Sequence, residues 1–429
     1  MSEKSYLEKF HKHCEGTFYA SLKEQEQAFV REKAFAHLLS YQEIKQLVDM
    51  TIDFRMWGKG PVASYWDESK YAHYTPKQRK QALMADLRAL YDALRQEEKD
   101  YGELASTETK PHRIKLHAEA KENLGFGLCP VASPKTRCCN LLTLDAVESC
   151  GFDCSYCSIQ SFYNEGNITF DTTLDEKLAA IALDPNEFYH IGTGQASDSL
   201  MWGNRYGVLD KLVAFARRHP NVMLEFKTKS DNIGYFLEQE QLPPNLLFTW
   251  SLNPQTIIDK EEHLTASLQK RLTAAKKMAD RGALVGFHFH PMIHYKGYRE
   301  EYGALFAQLL DTFDPSHVAL VSFGTLTFIK PVMQKIRQRD FKSKILQMPL
   351  TEAAGKLSYP LEIKREMFRF AYESLKPWHG KVYFYLCMED HSLWKDVFGY
   401  AYPTNESFEM DMKLSYMAKI ERLRREEAP

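Results

Sequence analysis

At 429 residues the chain is longer than one compact core usually serves, so two or three units of about 100–200 residues are expected. Its 44% hydrophobic and 26% charged residues are those of an ordinary globular protein, which excludes a disordered or fibrous chain. A formal net charge of −2 excludes a global basic field, so any nucleic-acid binding has to use a local patch. The first twenty residues carry acids and no long apolar run, and we expect neither a signal nor a transit peptide there. No run of about 18 apolar residues suggests a membrane span. The expected compartment is the cytoplasm, where the eight cysteines stay reduced or bind metal.

In chain order, the stretch to about residue 125 reads mostly as helix. Thr75-Pro76 is a start signal, a hydroxyl cap before a proline at the first helical position. Leu83, Leu87, Leu90 and Leu94 then recur on one apolar face. A polar stretch covers 105–121, and a boundary is expected at 130–134. From Cys139 onward β-rich runs alternate with helical patterns. Strands are predicted at 141–147, 188–192, 222–227, 246–252, 284–290 and 318–323. Helices are predicted at 177–183, 209–217, 233–237, 268–281 and 302–312, with Gly282 as a stop. Alternation of this kind implies a parallel sheet, and about 185 residues is short for an eight-unit barrel. The predicted fold is α/β: a partial (β/α)6 barrel over 138–345, a helical N-terminal domain over 1–130 and a mixed α+β C-terminal cap over 346–429. The cap should hold a helix at 363–375 and a strand at 381–386.

Cys150, Cys154 and Cys157 stand at spacings of four and three, just past the first predicted strand. Iron–sulfur clusters need thiolates about a cube apart, and one short loop can wrap a corner with this spacing. Three protein thiolates would leave one iron open to a substrate-like ligand. The alternatives are a zinc site, which needs a fourth ligand from afar, and inert buried thiols.

With Tyr156 before the last cysteine, the triplet resembles the signature of the radical SAM superfamily. That resemblance implies a [4Fe-4S] cluster whose open iron chelates S-adenosyl-L-methionine (SAM) and cleaves it reductively to a 5′-deoxyadenosyl radical. The order of segments from Cys139 to Ile345 is similar to the spore photoproduct lyase family, in particular 150–160, 193–198, 226–232, 249–253, 286–298 and 327–339. By that resemblance Ser197, Lys229 and Ser251 would engage the polar end of SAM, with Asn253 as a companion and Lys227 as a rival to Lys229. The family carries a cysteine that returns a hydrogen atom to the substrate radical; here Gln195 stands at that place. The tyrosine that follows the third cluster cysteine in the lyase is Ser158 here. Cys387 is a candidate replacement donor, against the plainer reading of a small buried hydrophobe.

His288 and His290 alternate with Phe287 and Phe289, so both histidines share one strand face and are candidates to line the reaction chamber, or simply to fill the lumen. Lys330, Lys335, Arg337, Arg339, Lys342 and Lys344 put six cations in fifteen residues against Asp340, a stretch that can hold a phosphate backbone or be a solvated helix face. Lys356 and Tyr359 sit where the family has its duplex-probing hairpin and can wedge or stack a base. Together these features imply a radical SAM enzyme of the DNA photoproduct lyase type, served by an electron donor such as flavodoxin or ferredoxin. The rival readings are radical modification of RNA, a peptide or a small metabolite, and a non-enzymatic iron–sulfur redox sensor.

Overall fold

The computed structural model describes residues 3–105, 114–122, 124–129, 135–158, 166–353 and 355–426. The boundary expected at 130–134 lies outside the described residues. The chain forms two compact units: the N-terminal helices together with Ile329–Leu350, and the remainder.

In the first unit four helices span Glu3–Glu15, Glu24–His37, Tyr41–Trp57 and Pro76–Gln96. The last is stapled at its start by a reciprocal cap: Gln78 N donates to the Thr75 hydroxyl and Thr75 N donates to the Gln78 side chain. Leu83, Met84, Leu87 and Leu94 are its buried face, while Leu90 is half-buried. Helix Tyr41–Trp57 is the unit's centre, buried from Ile44 through Trp57 on most of its circumference. The helix Lys330–Gln338 and the turn after it pack into this unit: Ser343 N donates to Met56 O, and Arg337 clasps Asp53.

The second unit is built on one eight-stranded sheet. Its strands are β1 (Gly125–Leu128), β2 (Leu142–Asp145), β3 (Tyr189–Gly192), β4 (Val222–Thr228), β5 (Leu246–Ser251), β6 (Leu284–Met292), β7 (Val318–Thr325) and β8 (Tyr383–Leu386). They lie in chain order across the sheet, β2 to β8 all parallel and β1 antiparallel to β2. Strands β5 and β7 are buried along their whole length, as parallel strands covered on both faces must be. Crossover helices Val208–Arg218, Leu268–Asp280 and Tyr298–Thr312 bury apolar stripes, and Gly282 (φ 79°) ends the second of them.

The six predicted strands are present, and the parallel half-barrel is the expected fold. The strand expected in the cap instead extends the sheet as β8. Sequence missed Lys115–Glu119, which pairs with Asn167–Asp171 beside Val147–Glu148 in a small separate sheet. That strand is almost wholly exposed, so it carries no apolar alternation to read.

Candidate functional site

Parallel strands bring their C-terminal ends together, and the loops that follow them wall one pocket. After β2 the chain turns through Ser149 (φ 70°) into the cysteine loop. Gly151 is needed there: a Cβ would lie 2.5 Å from Met201 Cε and 2.9 Å from the Trp202 ring. Asp153–Cys154 then pairs antiparallel with Glu262–His263, Ser155 N donates to Glu261 O (2.8 Å), and Cys157 N donates to Cys154 O (3.2 Å). Held this way, Cys150, Cys154 and Cys157 line the same pocket. Among the described residues no three His, Cys, Asp or Glu side chains converge on a single metal ion. Burial pushes the Cys150 thiol up to about 12, so thiolates on this wall need a cationic partner. A cluster's irons are such a partner, and three thiols on one wall fit it.

Next to the cysteines stands a buried polar brace. The Tyr156 hydroxyl donates to Glu262, and so does Asn253 Nδ2 (2.8 Å). Arg271 pairs with the same carboxylate at 2.6 Å, both side chains fully buried. Burial would push Glu262 up, but Arg271 and Lys229 hold its carboxyl down at about 2. The Lys229 ammonium lies 5.7 Å over the Tyr156 ring. Asp198 fastens the next loop: it accepts from Thr228 Oγ1 (2.7 Å), Leu200 N (3.0 Å), Met201 N (2.9 Å) and Lys229 N (2.7 Å). Ser197, Lys229 and Ser251 all line the pocket. Among the described residues the buried Ser197 hydroxyl has no protein partner, which leaves it open to a ligand. Asn253 is not among the lining residues; its Oδ1 accepts from Tyr302 (2.6 Å), so both its ends serve the core.

The two histidines separate. His290 lines the pocket, its ring seated over Gly324, where a Cβ would lie 1.9 Å from Nε2. His288 points into a buried network below it: Nε2 donates to Glu225 (2.7 Å), and Ser322 donates to Nδ1 (2.6 Å). Burial and then Lys227 lower His288 to about 4, so it is a neutral ring at pH 7. Glu225 also accepts from Thr249 (2.6 Å) and His190 (2.8 Å), and the histidines hold it well below the usual carboxylate range despite its burial. Sequence reading missed Glu225 and His190; the visible signal was an acid in the middle of an otherwise apolar strand.

Gln195 lines the pocket where the resemblance places a cysteine. Cys387 follows β8, bonded through its N to Phe323 O (2.9 Å); its neighbour Met388 (φ 60°) is the lining residue. Burial raises the Cys387 thiol far above its ordinary value, so it stays protonated. Lys335, Arg337 and Arg339 belong to the helical unit. There Arg337 donates to both carboxylate oxygens of Asp53 (2.9 and 2.8 Å) and Arg339 covers the Phe341 ring at 4.3 Å, while Lys335 is exposed. Lys356 opens the second strand of the hairpin Thr351–Ala353 and Lys356–Ser358, and Tyr359 follows that strand. Lys356 is half-buried; Tyr359 is 1% exposed and its hydroxyl accepts from His294 N, so its ring is not offered to a base.

The sequence model for spore photoproduct lyase matches residues 143–359, half of the chain. The chain belongs to the spore photoproduct lyase family. The match begins at β2 and ends with the hairpin, so it takes in every residue of the pocket wall except Met388. Among curated proteins, the spore photoproduct lyase of Geobacillus sp. is 28% identical over 139 residues, 32% of this chain and 40% of that one. That of Bacillus subtilis is 25% identical over 204 residues, 46% of this chain and 59% of the relative. The chain thus spans about half the length of the curated relatives it matches. A solved spore photoproduct lyase complexed with dinucleoside spore photoproduct superposes with a TM-score of 0.54 at 22% identity, covering 63% of this chain and 82% of that one. A mutant of the lyase with bound AdoMet and the same photoproduct gives 0.52 over the same shares. At that identity the likeness concerns the fold, the parallel half-barrel described above.

Proposed function

We propose that this chain is a radical SAM enzyme of the spore photoproduct lyase type, acting on a DNA photoproduct in the cytoplasm with a small electron-transfer protein such as flavodoxin or ferredoxin as donor. The observation that carries the reading is the shared pocket: three thiols on one wall, with a buried Ser197 hydroxyl that has no partner among the described residues and the Lys229 ammonium beside them. When bound there, a [4Fe-4S] cluster and SAM would supply reductive cleavage and a carbon-centred radical able to abstract hydrogen. Cys150, Cys154 and Cys157 would hold the cluster. Lys229 offers a point charge and Ser197 and Ser251 offer hydroxyls to SAM's amino and carboxylate groups. Glu262 keeps Tyr156 and Lys229 in place. Solved relatives contain a dinucleoside photoproduct, which favours a nucleic-acid lesion as substrate here.

The test is anaerobic: reconstituted enzyme, dithionite, SAM and a thymine photoproduct should yield 5′-deoxyadenosine and repaired thymine. Cys150→Ala should abolish both. SAM cleavage without repair would overturn the substrate assignment alone. A second reading, radical modification of RNA, a peptide or a metabolite, is favoured by one observation, the amide of Gln195 where the family places a thiol. In the first reading the protonated Cys387, one residue from the lining Met388, takes the hydrogen-donor role. Salt-sensitive binding of duplex DNA separates the two. Absence of any 5′-deoxyadenosine would instead favour an iron–sulfur sensor.

A further inference from the structure

Strand β4 places Glu225 and Lys227 on one face by its period of two, and Lys229 stands just past its end. Their charges are matched differently. Glu225 accepts from Thr249, His190 and His288. Lys229 sits at the cysteine end, within reach of Glu262, Cys154 and Cys157, and over the Tyr156 ring. Lys227 lines the same pocket, yet among the described residues its ammonium has neither a hydrogen bond nor an ion pair.

Its surroundings mark the other end of the pocket. The Lys227 charge acts on His288, His290 and Cys387, none of which is in the cysteine loop. The Gly194-Gln195 backbone lies directly on the Lys227 stem: a Cβ on Gly194 would be 2.9 Å from both Lys227 Cβ and Lys227 O. His290 Nε2, on the same pocket, is buried and has no partner among the described residues. Lys227 is half-buried on this wall, and among the described residues no carboxylate pairs with it. Beside it stand an amide and an unpartnered imidazole nitrogen, both groups able to donate hydrogen bonds. A ligand anion would meet all three groups on this wall.

We propose that Lys227, with Gln195 and His290, forms a phosphodiester subsite that holds the linkage joining the two nucleotides of the lesion at the His290 end of the pocket. The inference rests on the reading that the substrate is a nucleic-acid photoproduct. It predicts a selectivity: the chain should distinguish a photoproduct dinucleotide from the same lesion lacking the phosphodiester.

The experiment measures equilibrium binding of both lesion forms to cluster-reconstituted, SAM-loaded protein. Wild type should bind the dinucleotide about tenfold or more tightly, the worth of one charge-assisted contact. Lys227→Gln should erase that preference, and Lys227→Arg, which keeps the charge, should retain it and so controls for folding. Equal binding of the two forms by wild type, or a preference that survives Lys227→Gln, would overturn the subsite alone. A tenfold loss of SAM affinity in Lys227→Gln with the lesion preference unchanged would place SAM's carboxylate there and also overturn it. If neither lesion form binds while SAM is still cleaved, the substrate reading falls and the subsite with it.

Discussion

Glu262→Gln tests the brace behind the cysteine loop. Wild-type Glu262 and Arg271 are both fully buried, 2.6 Å apart. The substitution leaves a buried guanidinium facing a neutral amide. Breaking a buried pair from one side costs about 3–5 kcal/mol. Arg271 keeps Ala266 O, Ser251 O and Thr265 Oγ1 as acceptors, so the lower end applies. The carboxyl gives the same answer independently: holding it at about 2 rather than 4.5 is worth about 3 kcal/mol at 1.36 kcal/mol per pH unit. Because the folded value lies below the unfolded one, this stability is present above pH 4.5 and is lost as pH falls toward 2. With a urea slope of about 3 kcal/mol/M, the variant's midpoint should fall by about 1 M at pH 7. The gap to wild type should narrow steadily below pH 4.5. Equal midpoints at pH 7, or a gap of constant size from pH 7 down to 3, would refute the assignment of a charged, paired Glu262.

Ser197→Ala removes a buried hydroxyl that has no protein partner among the described residues, so the urea midpoint should hold or rise while the SAM dissociation constant rises about tenfold. A loss of stability with SAM affinity intact would make Ser197 a core residue. Arg337→Ala abandons the buried Asp53 to Tyr91 alone and should cost about 3–5 kcal/mol in thermal or urea unfolding. The salt slope of any DNA binding should not change; a slope reduced by about one would mean Arg337 touches phosphate after all. Gly324→Ala puts a methyl 1.9 Å from His290 Nε2, so displacement of the ring should cost about 1–3 kcal/mol. Wild-type melting would show that the ring has room to move.

Much of this protein was legible in local pattern. The six predicted strands were readable because parallel strands are apolar runs of the right length, and 75–96 because its cap and its leucine spacing agree. The cysteine triplet was readable because its ligands lie within one short loop. Tyr383–Leu386 was legible as a strand, but its membership in the sheet was not, since pairing with β7 is a contact across some sixty residues of chain. Glu225 looked like an isolated acid until the sheet brought His190, Thr249 and His288 to it. The same holds for the basic stretch: six cations look alike in one dimension, and only packing against helix Tyr41–Trp57 gives Arg337 to Asp53. Tyr359 likewise reads as an aromatic beside a turn and proves to be core. The sequence by itself determined the elements and the cysteine corner, because both depend on neighbours a few residues apart. The tertiary structure alone decided which charges are answered, as Glu225 is by His190, Thr249 and His288, because a buried charge is matched by whatever distant strand the fold sets beside it.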